Sequence, residues 1–317
     1  MKNKLSFQIT ILVTLILNTS CNNIEGKIII PVDNFNITQY HMCYAKSQLA
    51  LDTYNSGNIV KLEYDNQNRI IKKIGNISPL PFSSGFEGIL NEDLYTDFKY
   101  FENEVYLVNK ISSVYGIEIK ENKTTLILDN KHRIIQKISF DKQRTPERDT
   151  INYTYDNDGK LTSYIKTNLR GTTRNFEKSE IYYSSMNVDS IITISSKKVI
   201  HIPHIKYISK KIEKFGDYDS AENPFRKLQL FEETFYRSLS NNNFAEYKEG
   251  SMYYVYTNND FSKTPTLYPY DYYPHDYFST RKWSFEYDKN GELIHDQFSS
   301  YTGHQFSNSN STIYLFN

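Results

Sequence analysis

Four times along this chain an alternating apolar run ends in an aspartate, crosses a few turn-forming residues and returns as a second alternating run. The clearest copy is INYTYDNDGKLTSYI, Ile151 to Ile165. Ile151, Tyr153 and Tyr155 recur at the period of two that puts side chains on one face of a strand, and Asp156-Asn157-Asp158-Gly159 supplies the turn. The other copies turn at Asp65 to Asn68, Asp129 to His132 and Asp288 to Gly291. All four share a frame: apolar residues one and three before the Asp, a charged residue four after it, Ile or Leu five after. Three copies also carry Ile nine after, and the fourth has Gln297 there. An Asx-type cap explains the Asp, and Asn or Gly suits the left-handed backbone of a tight hairpin. The motif is therefore read as structural, with no shared ligand role.

The copies are unevenly spaced, which excludes a fixed-period solenoid and favours a meander. Further strand-like runs lie between them, at Val105 to Val108, Tyr115 to Ile119, Glu180 to Tyr183, Ile191 to Ser195 and Met252 to Tyr256. Counting both arms of each hairpin gives about 12 to 16 strands, more than a flat open sheet sustains. The predicted fold is all-β, a large, strongly curved antiparallel β-meander, open or barrel-like and soluble. One segment departs from it. Asn223-Pro224 is a favoured helix start, and Leu228, Phe231, Phe235 and Leu239 recur on one face, which predicts a short amphipathic helix near 224–239 capping the sheet.

The N-terminus reads as an address. Lys2 and Lys4 precede the apolar run Leu5 to Leu17, too short to span a bilayer comfortably, so residues 1–20 are expected to be a signal peptide. Leu17-Asn18-Thr19-Ser20-Cys21 has the form of a loose lipobox, making Cys21 the expected lipidation site; Asn18 stands where a branched aliphatic residue is usual. Residues 21–40 are then a polar tether and 41–317 a single antiparallel β domain. With Cys21 used in this way, Cys43 has no intramolecular partner and no disulfide is expected. The protein is placed in the cell envelope, lipid-anchored at the outer membrane, facing the periplasm or the surface.

Composition narrows the partners. Lys plus Arg and Asp plus Glu are both 37, which leaves no basic excess for phosphate neutralisation, and nucleic acid is excluded as a partner. A lipid-facing strand surface tolerates Lys or Arg badly near the midplane, at about 2–4 kcal/mol each. Lys72 and Lys73 are adjacent and point to opposite faces, as do Lys120 and Glu121, so one of each pair would face lipid in a membrane barrel. A soluble sheet held to the membrane by its lipid alone fits better.

The Y/L-D-x-x-x-R/K/E-I/L copies resemble the YD repeats of Rhs-type and teneurin-type shells. Together with the Cys21 start and the run Tyr218-Asp219-Ser220-Ala221-Glu222-Asn223-Pro224-Phe225, leading to Leu239-Ser240-Asn241-Asn242-Asn243, they look like a family of gut-bacterial lipoproteins of unknown function with a porin-like fold. The resemblance implies a large antiparallel meander and transfers no catalytic residues.

Chemistry is sparse. No G-x-S-x-G, P-loop, dinucleotide fingerprint or H-E-x-x-H occurs. His201 and His204 stand three apart, on opposite faces of a strand and short of a metal's ligand count, and His275-Asp276 and His295-Asp296 are adjacent pairs poorly placed for a triad. No catalytic residue, metal or cofactor is assigned. The candidate ligand-binding stretch is Tyr268-Pro-Tyr270-Asp-Tyr272-Tyr273-Pro-His-Asp-Tyr277, where Tyr268, Tyr270, Tyr272, Tyr273 and Tyr277 offer rings and hydroxyls on a proline-stiffened loop. The reading is a non-enzymatic binding or scaffolding module for a glycan, a peptide or an envelope protein. The alternatives are an immunity or inhibitor protein acting by edge-strand pairing, or a metal-dependent hydrolase assembled from His201, His204, His275 and Asp276.

Overall fold

The hairpin frame is built as its turn chemistry demands. In each copy the Asp N–H donates to the carbonyl four residues on, and the Asp Oδ1 accepts the N–H of that same residue: Arg69, Arg133, Lys160 and Glu292. The residue three after the Asp takes a left-handed conformation, with φ of 56° at Asn68, 58° at His132, 85° at Gly159 and 84° at Gly291. Each hairpin then returns through a register shift, at Glu63/Tyr64, Ile127/Leu128, Thr154/Tyr155 and Glu286/Tyr287. That bulge lets Ile70, Ile134, Leu161 and Leu293 all be buried while Ile71, Ile135 and Ile294 are exposed.

This computed structural model describes residues 37–44, 59–79, 86–111, 120–141, 147–170, 173–199, 205–231, 234–257, 279–302 and 305–316. Among the described residues sixteen strands follow one another. They are β1 (Ile37–Tyr44), β2 (Ile59–Tyr64), β3 (Ile70–Pro79), β4 (Phe86–Tyr100), β5 (Glu104–Ile111), β6 (Lys120–Leu128), β7 (Ile134–Asp141) and β8 (Glu147–Tyr155). The second half comprises β9 (Leu161–Arg170), β10 (Thr173–Ser184), β11 (Asn187–Val199), β12 (Ile205–Tyr218), β13 (Phe244–Thr257), β14 (Ser279–Tyr287), β15 (Leu293–Thr302) and β16 (Gln305–Phe316). Every strand pairs antiparallel with its neighbours in sequence, and β1 pairs with both β2 and β16, so the all-β meander curls until it closes on itself. Its first strand starts at Ile37, inside the stretch read as tether, and the expected strand at Tyr115 to Ile119 lies outside the described residues.

The connections after β2, β4, β6, β8, β10 and β14 are tight turns gathered at one end of the barrel, the turn end. There a belt of five tyrosines, on β2, β4, β8, β10 and β12, ties each of those strands to the one before it. Tyr64 donates to the Ile37 carbonyl (2.6 Å), Tyr100 to Ile70 (2.8 Å), Tyr155 to Ile134 (2.8 Å) and Tyr183 to Leu161 (3.1 Å), and Tyr218 does the same to Val188. Cations from the hairpins lie over these rings: Arg69 over Tyr100 at 4.5 Å, Arg133 over Tyr155 at 4.6 Å and Lys160 over Tyr183 at 5.5 Å. Burial raises the belt hydroxyls, those of Tyr100 and Tyr155 to about 12, so they stay protonated donors.

The connection after β12 is different. Residues 219–231 and 234–243 fold back into the barrel as a plug, and the single amphipathic helix expected near 224–239 resolves into a 3-10 turn, Pro224–Leu228, and one short α-helix, Phe235–Ser238. Asn223 caps the first as its sequence suggests, accepting from Phe225 N at 3.0 Å. Its amide group then donates to the carbonyls of Arg237 (2.6 Å) and Ser240 (2.9 Å), while Thr234 Oγ1 donates to Leu228 O (2.7 Å). These side-chain bonds replace the continuous helical ladder that the periodicity implied. Phe225, Leu228, Phe231 and Tyr236 are buried.

Candidate binding site in the barrel lumen

The plug reaches the barrel wall on all sides. Phe231 meets Phe98 edge-on at 5.7 Å and lies under the Lys73 ammonium at 4.6 Å; Phe235 packs on Tyr153 at 5.9 Å and Tyr164 at 6.3 Å. On the opposite side Tyr236 meets Phe215 at 5.8 Å. The buried Arg237 guanidinium is ringed by Phe244 (4.3 Å), Trp283 (4.4 Å), Phe225 (5.4 Å) and Phe285 (5.5 Å). Asn242 and Asn187 exchange two hydrogen bonds, and Asp219 accepts from Tyr287 and from Asn243 N, fixing both ends of the plug to the strands. The turn end of the lumen is thus filled with side chains.

Above the plug lies a cavity of about 490 Å³. Its floor is Gln229, Leu230, Phe231, Phe235 and Tyr236, and its wall comes from β6 to β10 and from β12. The cross-strand registers show how the wall is graded. The row nearest the plug pairs Tyr153 with Tyr164, then Ser179, Thr193 and Lys211. The next reads Leu126, Lys137, Ile151, Lys166, Glu177, Ser195, and the one beyond reads Ser139, Asp149, Asn168, Asn175. Inward positions therefore pass from aromatic to charged and amide-bearing within about 14 Å of strand, roughly two residues per row.

Most of the charges in this wall have partners. Asp149 accepts from Asn168 Nδ2, Glu177 accepts from Ser195 Oγ at 3.4 Å, and Lys211 pairs with Glu213 at 2.9 Å. Glu213 is fully buried and also accepts from the Tyr247 hydroxyl at 2.7 Å. Burial holds Lys211 below its ordinary value and Glu213 above its own, the mutual attraction opposing both shifts. Around the outside of the barrel charges pair as well, Lys110 with Asp97 (3.3 Å), Lys178 with Glu180 (2.7 Å) and Glu246 with Lys248 and Lys282 (2.5 and 3.5 Å). Lys72 and Lys73 do face opposite ways: Lys73 lies over Phe231 inside and Lys72 over Tyr95 outside.

The binding stretch singled out from the sequence, Tyr268, Tyr270, Tyr272, Tyr273 and Tyr277, lies outside the described residues, as do Cys21, His201, His204, His275 and Asp276. His295 and Asp296 are described and point apart: His295 Nδ1 is 3.4 Å from Glu286 on the outside, while Asp296 is buried. No group of three or more metal-ligating side chains occurs among the described residues. Each of the sixteen strands pairs with a neighbour on both sides over at least part of its length, whereas the edge-pairing alternative asks for an exposed edge. The lumen residues were missed because each of these polar residues is unremarkable in its own strand. One signal was present: once Tyr153 and Tyr155 are assigned inward, Asp149 falls on the same face.

No family model matches the chain, and no curated protein matches it. Among solved structures the chain is similar to a porin-like protein from Bacteroides uniformis, at 11% identity over 89% of this chain and 98% of that one with a TM-score of 0.48. A second porin-like protein, from Bacteroides vulgatus, is 9% identical over 89% of this chain and 99% of that one with a TM-score of 0.45. No helix among the described residues is long and apolar enough to cross a membrane.

Proposed function

We propose that the protein is a lipid-anchored, non-enzymatic binding module of the cell envelope that captures a small ligand in its barrel lumen. The observation that carries the reading is the plugged barrel itself: residues 219–231 and 234–243 fill the turn end, and directly above them a cavity of about 490 Å³ presents aromatic faces and charged heads together. That volume lies within the ~300–1,000 Å³ range of small-molecule sites, and an apolar floor with a few convergent polar groups is their usual make-up. A plug argues for holding a ligand over conducting one. The ion pairs on the outer face support a barrel kept out of the hydrocarbon, with attachment left to Cys21. Envelope location, lipidation and the absence of catalysis belong to the proposal.

The experiment is a binding screen of small glycans and peptides on the purified chain and on its Ser139→Trp variant, which puts an indole into the cavity. Ligands that bind the parent and are lost in the folded variant support lumenal capture. Ligands held equally by both place recognition elsewhere, and the Tyr268 to Tyr277 stretch is then the first alternative.

A further inference from the structure

Resting on the lumenal reading, we propose that the captured ligand is a small hydroxylated anion, a sugar acid or sugar phosphate whose negative group is held between Lys137 and Lys166. Three of the five charged side chains lining the cavity are already engaged: Asp149 by Asn168, Glu177 by Ser195, Lys211 by Glu213. Lys137 and Lys166 have no ion-pair partner among the described residues. They flank Ile151 in one cross-strand row, so their backbones stand two strands apart, about 10 Å. Two four-carbon stems easily bring both ammonium groups onto one anion across that span. Inside a walled lumen such an attraction is stronger than at an open surface, because less water screens it.

A bare anion does not suit the whole wall. Glu177 lies in the same row and Asp149 in the adjoining one, where they repel negative charge but accept hydrogen bonds from hydroxyl groups. A ligand satisfying both sets carries several O–H donors around its charge. Beneath them Tyr153 and Phe235 offer ring faces against which the C–H side of a sugar ring packs. The plug blocks the turn end, so the ligand arrives from the opposite end and meets the polar rows before the aromatic floor.

Calorimetric titration with two matched pairs tests this: trehalose against trehalose 6-phosphate, and lactose against lactobionate. The expected result is that at least one charged probe binds about tenfold or more tightly than its neutral partner. That preference should weaken with added salt and vanish in Lys137→Met/Lys166→Met, a volume-conserving change whose fold is checked by circular dichroism. Which charged probe wins tells carboxylate from phosphate. Neutral probes binding as tightly as charged ones, a preference that survives the double substitution, or no binding by any of the four overturns the inference. The capture reading is judged separately: a neutral ligand excluded by Ser139→Trp leaves it standing, and a charged ligand indifferent to that change overturns it.

Discussion

The Tyr155 hydroxyl donates to the Ile134 carbonyl at 2.8 Å, across 21 residues of sequence, while Arg133 from the hairpin before it lies over the same ring at 4.6 Å. One tyrosine thus fastens its own hairpin to the previous one. The arrangement recurs at Tyr100 with Ile70 and Arg69, and at Tyr183 with Leu161 and Lys160.

Removing that hydroxyl alone measures its share. Tyr155→Phe keeps the ring under Arg133 and deletes one half-buried hydrogen bond, so a loss of about 1 kcal/mol in urea unfolding is expected. Tyr155→Leu, which removes the stacked ring as well, should cost about 1–2 kcal/mol more. Equal stability of the two variants would show that the ring contact contributes nothing.

The turn aspartates contribute to stability against acid. At Asp65 and Asp129 partial burial raises the carboxyl, but the Arg N–H, the Arg guanidinium and a second backbone N–H outweigh it, leaving both below the usual Asp value. The unfolded chain then takes up protons first as pH falls, so the stabilisation is present above about pH 4 and lost as pH drops through the folded values. Asp65→Asn/Asp129→Asn should therefore unfold at a midpoint less dependent on pH below 4 than the parent does. A parallel decline in both proteins would rule these two groups out.

Arg237 holds the plug in place. Its guanidinium is enclosed by four aromatic rings, and Arg237→Met, which fills much of the space without the charge, is expected to cost about 2–4 kcal/mol. Trp283 is the only tryptophan in the chain and lies 4.4 Å from that guanidinium, so its emission reports on the plug directly. A variant with unchanged emission and unchanged stability would mean that the plug stays seated without Arg237.

The buried pair beside the cavity predicts an asymmetry. Glu213→Ala leaves Lys211 without its carboxylate in a poorly hydrated wall and should cost about 3–5 kcal/mol, whereas Lys211→Met/Glu213→Leu should recover most of that loss. If the double change is as damaging as the single one, the pair supplies net attraction beyond compensating its own burial, and thermal melts of the three proteins settle which holds.

The barrel's hairpins were legible because their signals are local: Asp, Asn or Gly and the returning Ile or Leu lie within six residues. The tyrosines before Asp65, Asp156 and Asp288 were legible as inward apolar residues. The partners of their hydroxyls were not, because Tyr64 and Tyr155 bond carbonyls 27 and 21 residues away. The same distance effect broke the expected helix, where Asn223 reaches Ser240 and so competes with the periodicity of Leu228, Phe231 and Phe235. Lys137, Lys166 and Glu177 converge only through cross-strand register, which no single strand carries. Curvature was readable from the strand count, whereas closure depended on β1 finding β16.

That seam joins Ile37 to Phe316, residues separated by nearly the whole described sequence. Contacts so far apart are entropically costly to bring together and slow a chain's search, so closure is expected to come late in folding. Until β16 docks, β1 and β15 both present raw edges of unpaired N–H and C=O groups, the feature that invites strands from other chains. The folding protein is therefore most open to aggregation just before the seam closes, when a chaperone covering those two edges would have the most effect.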